Sequence, residues 1–413
     1  MTQPRSKAIF LSYDGFGQSY LETLYLPILG SIENPPVDFT VVQFMPKNHP
    51  QKASDAAAAE KLGIKIHFLN YYNSPPLLGT LYLIADGIFK VGRIVRKEKI
   101  DFIHARVHIP GLVALAAAKL FRPQVKLIYD MDGFVPEYRA ETGMWSEKGF
   151  IYKAFKKIEK LLVEKADLIM VRTESAKKIL GDWYGDAAAT KTYVTPNGKD
   201  ENFYHPFTEA ENREIRQKYN LDDDTIFVIY VGTLGELFLP DKMFRLFSYV
   251  KKQQPNSFFL VLTGSDFEPL SRMARAEGLT EQRDYAVGRV SGAEIPRYVS
   301  AADVGISFRA PTLSMRGISP LKVCEYLLCG TPAIVNASIG DLDILFEENK
   351  ELGFLLNETS DDELKQSAEW ILKTAKPERN RLRETSRAGG VKEFGLSHIK
   401  KLYENVYGKL INR

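Results

Sequence analysis

The sequence predicts an α/β protein of two domains, each a parallel sheet wrapped by helices. Three observations carry this. At 413 residues the chain exceeds what one ordinary core accommodates. Short apolar runs alternate with helical segments through both halves, which is the pattern of right-handed βαβ crossovers. Pro196-Asn197-Gly198 is a turn signal, and the polar stretch 199–224 with Pro206 after it reads as a linker and a leading helix. The expected domains are 1–198 and 199–394, with a helical pattern over 395–413.

In the first half, Ala8 to Ser12 reads as a buried strand. The loop after it holds Gly15 and Gly17, which would let the backbone approach a phosphate or sugar. No G-x-G-x-x-G follows, so a dinucleotide site is not supported. A helix over 19–32 ends before Pro35-Pro36, and strands at 38–44 and 64–69 flank an Ala-rich helix. Residues 77–100 mix apolar side chains with Lys90, Arg93, Arg96 and Lys97. They read first as a domain helix with a basic outer face, and second as a membrane-surface helix.

The strand 101–104 leads into His104-Ala105-Arg106-Val107-His108-Ile109-Pro110-Gly111. Ligands of open α/β sheets lie at the carboxyl ends of strands. Arg106 and His108 are therefore candidates, while His104 reads equally as a packed residue. The strand 125–129 runs into an acidic turn around Gly133. A basic helix over 148–165 reads as a solvated face, and strand 167–172 precedes Thr173 and Ser175, either of which can cap a helix.

The second half repeats the alternation, with strands at 225–231, 258–263, 285–287, 303–308, 333–335 and 353–356. Gly232-Thr233-Leu234-Gly235 offers backbone N–H groups to a diphosphate. The most informative stretch runs from Ser319 to Pro332. Pro320 can open a helix that runs to Leu328 or Cys329, Gly330 stops it, and Pro332 forbids continuation. The start of that helix, Ser319-Pro320-Leu321, is an anion site by virtue of its unpartnered N–H groups. Glu325 lies about two turns in, too deep for capping. It is placed to accept two neighbouring hydroxyls, as on a ribose.

Composition narrows the classes. Cys324 and Cys329 sit on the proposed helix and suit cytosolic packing rather than a disulfide, and no metal-ligand spacing exists. Neither a signal peptide nor a membrane-spanning run is read, so the expectation is a cytoplasmic protein, at most peripheral to the inner face of a membrane. Residues 1–200 carry 27 Lys+Arg against 21 Asp+Glu, whereas the rest carry 28 against 31. A basic first half is expected to face an anionic surface or acceptor. Near-balanced total charge without an aromatic-basic platform argues against nucleic acid.

The pattern S-P-x-K-x-x-E-Y-L-x-C-G-x-P, with Asn336 and Ile339-Gly340-Asp341 after it, resembles the donor-binding segment of family 4 retaining glycosyltransferases. H-A-R-x-x-x-P-G at 104–111, D-M-x-G-F-x-x-E at 130–137 and P-N-G-x-D at 196–200 extend the resemblance. It implies the GT-B architecture, two Rossmann-like domains with a central cleft, and a C-terminal helix (about 395–413) that packs back on the first domain. It also implies a UDP- or GDP-linked sugar as donor substrate, with Glu325 on the ribose and Ser319, Pro320 and Leu321 under the diphosphate. Gly15 and Gly17 would face the donor, and Arg289 and Val290 would touch the base. No cofactor or metal is expected, although Asp130-x-Asp132 and Asp341-x-Asp343 have D-x-D spacing.

The chain departs from the family at three places. Gly317 replaces an earlier glutamate, Asp130 or Asp132 stands where many members have a histidine, and Thr233 replaces an arginine beside Gly232. Lys322, Arg316, Arg309 and Lys242 compete to meet the diphosphate charge. One of the two aspartates could bond sugar hydroxyls, and Glu137 or Arg139 could meet the acceptor. The expected activity is hexosyl transfer with retention to a saccharide or lipid-linked acceptor in cell-surface glycan synthesis. Lys322, Arg316, Asp130 and His108 are the candidate catalytic residues. The rivals are an inverting transferase, a sugar-nucleotide epimerase, or a GT-B partner protein that has lost catalysis.

Overall fold

A computed structural model describes residues 5–13, 20–72 and 75–412. Gly15 and Gly17 lie outside the described residues. The chain divides into two compact units, 1–196 with 399–413, and 197–398.

The first unit is a seven-stranded sheet in the order β3-β2-β1-β4-β5-β6-β7. Its strands are β1 (Ser6–Tyr13), β2 (Val37–Met45), β3 (Lys65–Asn70), β4 (Phe102–Arg106), β5 (Lys126–Asp130), β6 (Leu168–Val171) and β7 (Thr192–Val194). Neighbours run parallel throughout. Helices cover both faces, so central strands are apolar along their length; Ala8, Ile9, Phe10 and Leu11 of β1 are all fully buried. Chain direction across the sheet reverses between β1 and β4, which makes their carboxyl ends the switch point.

The C-terminal helix Leu396–Ile411 joins this unit from Ile399 onward. Tyr407 packs its ring on Phe39 and Phe102, at 5.5 and 5.4 Å between centroids. The first residues of that helix stay with the second unit for a local reason. The Lys199 N–H donates to Phe394, and the Leu396 N–H donates to Lys199.

The second unit is a six-stranded parallel sheet in the order β10-β9-β8-β11-β12-β13. Its strands are β8 (Ile226–Val231), β9 (Ser257–Leu262), β10 (Tyr285–Gly288), β11 (Val304–Ser307), β12 (Ala333–Asn336) and β13 (Gly353–Leu356). Here the switch point falls between β8 and β11. Every residue of β8 is buried, the expected result of helices on both faces. Among the described residues, no helix is long and apolar enough to cross a membrane.

Candidate active site

The helix Leu321–Leu328 is fixed against the switch point of the second unit by one side chain. β8 and β11 pair over only two registers, Val304 with Val228 and Gly305 with Ile229, before they diverge. The Tyr326 hydroxyl fills the gap. It accepts from the Val231 N–H at 3.0 Å and donates to the Ile306 carbonyl at 3.3 Å. Gly305 permits the approach, since a Cβ there would lie 2.4 Å from the Tyr326 ring.

Pro320 is extended (φ −76°, ψ 106°) and caps the helix rather than opening its first turn, which starts at Leu321. No side chain caps this end. The Leu321 and Lys322 N–H groups have no acceptor among the described residues. The Asn197 amide donates to the Ser319 carbonyl at 3.0 Å and holds the segment before the helix. At the other end the helix stops at Gly330 (φ +73°), as the sequence predicts.

Two cations meet at this end of the sheet. Residues 237–239 pair with 308–310 through Ala310 N–H to Leu237 and Leu239 N–H to Phe308. This places the Phe238 ring against both the Arg309 guanidinium (4.2 Å) and the Lys322 ammonium (4.5 Å). The Asn336 side chain clamps the Arg309 backbone, with its Oδ1 accepting from the N–H and its Nδ2 donating to the carbonyl, both at 2.9 Å. Lys322 has no ion-pair partner among the described residues. Desolvation, reinforced by Arg309 and opposed by Glu325, pulls its ammonium down to about 7. An ammonium without an ion-pair partner beside an uncapped helix start suits an anion.

Gly232 follows β8 with φ +121°, and the space above it is taken by the Lys322 side chain. Thr233 is exposed beside it. Glu325 lies on the helix flank, with one carboxylate oxygen engaged. Oε1 accepts from the Tyr204 hydroxyl at 3.1 Å and lies 3.6 Å from the Lys199 ammonium. Burial and Glu325 push the Tyr204 phenol up, so it stays a donor. Arg316 stands apart, bound to Asp343 (3.0 Å) and the Ser338 hydroxyl (2.8 Å), so its charge is engaged locally. Arg289 is exposed, donates to the Gly264 carbonyl at 3.1 Å, and packs over Phe267.

In the first unit the strand ends hold a buried charge network. Arg172, just past β6, bonds both oxygens of Asp130 at 2.7 and 2.5 Å, Asp132 at 2.9 Å and the Thr195 carbonyl at 3.0 Å. His104 contacts Asp130 at 3.2 Å and Tyr407 at 2.9 Å. Burial raises the Asp130 carboxyl, but Arg172, His104 and Arg106 outweigh it and hold it well below the usual range. Asp130 has no exposed surface, so it orients Arg172 instead of facing a sugar. Asp132, ion-paired to Arg106, keeps partial exposure and a left-handed backbone (φ +53°). Val107, β-branched, also has φ +60°. Such strain at adjacent strand ends marks positions held for a reason beyond packing.

His108 is not brought to this network. It is buried as the first residue of the helix His108–Phe121, its Nε2 3.4 Å from Glu159 and its ring against Phe155. Glu159 also binds Lys156 and the Tyr184 hydroxyl, beneath the helix Phe150–Lys165. Sequence reasoning passed over Phe238, Tyr204, Lys199 and Arg172. Arg172 had a signal, since it is a charge ending a buried strand. Phe238 had none, because its pairing with Arg309 joins residues far apart in sequence.

Two family models match the chain. Glycosyltransferase Family 4 covers residues 39–203, and Glycosyl transferases group 1 covers 211–389. The chain is a family 4-like glycosyltransferase.

No curated protein matches the transferase in sequence. Its fold is shared with sucrose-phosphate synthase from Thermosynechococcus elongatus (TM-score 0.74, 18% identity, covering 99% of this chain and 100% of that one). It is shared also with Anabaena HepE in complex with UDP and glucose (TM-score 0.73, 16% identity, 98% and 100% covered). A third is a Listeria monocytogenes protein with the proposed identity of a UDP-N-acetylglucosamine 2-epimerase (TM-score 0.62, 13% identity, 99% and 97%). The two Rossmann-like sheets of the transferase are thus those of the GT-B class. Lys322 and Arg309 lie in the unit that matches Glycosyl transferases group 1.

Proposed function

We propose that this transferase moves a hexosyl group with retention from a UDP- or GDP-sugar to a saccharide or lipid-linked acceptor. In this reading the second unit holds the donor. The observation that carries it is Phe238 against both Lys322 and Arg309 at the switch point, beside the uncapped start of the helix Leu321–Leu328. A leaving diphosphate gathers negative charge as the glycosidic bond breaks, and preorganised cations and N–H groups stabilise that charge. Lys322 and Arg309 are assigned this role. Arg316 is not, because Asp343 neutralises it.

Glu325 is assigned to the ribose through the carboxylate oxygen that Tyr204 leaves unengaged. Arg289 is assigned to the base. UDP is favoured as the nucleotide because HepE, of similar fold, is in complex with UDP. The first unit is assigned the acceptor, with Asp132 and Arg106 at its strand ends as the contacts. The proposed setting is the cytoplasmic face of a membrane during cell-surface glycan synthesis. The basic balance of residues 1–200 supports it.

A thermal-shift panel of UDP, GDP and ADP in EDTA tests the donor assignment, since ligand bound to the native state raises its melting temperature. A shift with UDP or GDP alone is expected. No shift with any nucleotide would leave the chain a partner protein that has lost catalysis. The anomeric configuration of the product, read by NMR, then tests retention. Donor turnover without acceptor would point instead to an epimerase.

A further inference from the structure

The helix Pro76–Glu98 in the first unit carries an apolar surface that the core does not use. Its inner side is already satisfied. Leu83, Val91 and Val95 are buried, and Gly87 and Gly92 let the helix approach closely. A Cβ at Gly87 would lie 2.9 Å from Phe44, and one at Gly92 would lie 2.2 Å from Phe121.

The outer side holds Leu77, Leu78, Leu81, Tyr82 and Phe89, each more than half exposed. Helical spacing puts Leu78, Leu81, Tyr82, Ala85 and Phe89 on one stripe. Leu120, also exposed, extends it from the end of the neighbouring helix His108–Phe121, where Phe121 meets Phe89 edge-on at 6.3 Å. Burying such residues together is worth far more than scattered exposure, so a contiguous patch marks a contact surface.

The same stripe continues into Arg93 and Arg96, with Lys97 and Lys99 beside them, all exposed. None of these four makes an ion pair among the described residues. Arg96 lies about 10 Å beyond Phe89 along the helix axis. Apolar turns followed by unpaired cations match the acyl and phosphate layers of a bilayer, in that order. A second copy matches poorly. Antiparallel pairing of the apolar turns would leave the four cations outside the contact, and parallel pairing would set cations against cations.

We infer that the outer stripe of helix Pro76–Glu98 is a docking face for a bilayer containing anionic lipid. The apolar turns enter below the headgroups, and Arg93, Arg96, Lys97 and Lys99 meet the lipid phosphates. The inference rests on the lipid-linked form of the acceptor proposed above. It names the surface that would bring the transferase to that lipid.

Vesicle sedimentation of the full chain tests it, with vesicles of phosphatidylcholine alone and vesicles that also contain phosphatidylglycerol. The wild type should pellet with the second and weaken as salt rises. Arg93→Gln with Arg96→Gln should lower partitioning roughly 25-fold, at about fivefold per charge near an anionic surface. Leu78→Glu with Leu81→Glu should lose binding by at least as much. Both doubles should keep the wild-type melting temperature and UDP affinity, because the altered side chains face outward.

Wild-type protein that binds UDP but pellets with neither vesicle would overturn the docking face and leave the donor reading intact. Equal pelleting of both doubles and wild type would overturn it as well. So would a concentration-dependent dimer abolished by Leu78→Glu with Leu81→Glu, which would assign the stripe to a second copy. Vesicle binding without UDP binding would support the docking face while the donor reading failed.

Discussion

The Lys322 side chain occupies the volume that any side chain at position 232 would need. A Cβ on Gly232 would fall 2.5 Å from Lys322 Cε and 2.9 Å from Nζ. The backbone there, at φ +121°, is one that only glycine adopts readily. Gly232→Ala should therefore strain the loop and displace the ammonium together. The expected costs are roughly 1–3 kcal/mol of stability and at least about tenfold in UDP affinity. Denaturant unfolding and calorimetric titration measure both, and unchanged UDP affinity would remove Lys322 from the site.

Lys322 also makes a pH prediction. Its folded-state value is about 7, while an unfolded lysine titrates near 10.4. Between those values the unfolded chain holds the extra proton, so stability rises with pH across that window. Lys322→Met should flatten the rise and stabilise the protein at pH 7 by roughly 1–2 kcal/mol, after allowance for solvent screening. Diphosphate beside the ammonium reverses its depression. Binding of UDP at pH 8 should then take up about one proton, and affinity should fall as pH climbs above 7. Titrations in two buffers of different ionisation heat measure the uptake; no uptake would contradict the assignment.

The fold was largely legible because parallel strands buried on both faces read as short apolar runs between turn signals. β8 and β12 are examples. The helix at 321–328 was legible from Gly330 and Pro332. What was not legible depends on contacts between distant segments. Glu325 reads from sequence as a carboxylate ready for two hydroxyls, yet Tyr204 and Lys199 converge on one of its oxygens. Asp130 reads from sequence as a candidate for sugar hydroxyls, but Arg172, 42 residues later, holds it in a buried ion pair. His108 reads as a loop residue and is instead the start of a helix, covered by Phe155 and Glu159.

The Arg172–Asp130 pair should dominate the acid response of the first unit. A carboxylate held below its ordinary range contributes stability that is present above about pH 4 and is lost as pH falls further. Asp130→Ala leaves the Arg172 guanidinium buried without its main partner and should cost roughly 3–5 kcal/mol at pH 7. The variant should also lose less stability than wild type between pH 5 and pH 3. Urea unfolding across that range checks both statements.

Tyr326→Phe removes one hydroxyl and strands the Val231 N–H in a buried gap between β8 and β11. The expected loss is roughly 1–3 kcal/mol, the cost of a buried donor without a partner. The helix start moves with it, so UDP affinity should fall too, and by more than in a Cys329→Ser control at the far end of the same helix. Equal affinity in Tyr326→Phe and wild type would show that the hydroxyl serves stability alone.

Lys322 and Arg309 are proposed to hold the donor diphosphate at the switch point of the second unit. Isothermal titration of UDP in EDTA, into wild type and Lys322→Met, tests it most directly. Lys322→Met is expected to fold at least as stably as wild type and to bind UDP at least about tenfold more weakly, the range of a charge-assisted contact. A folded Lys322→Met that binds UDP as tightly as wild type would contradict the claim.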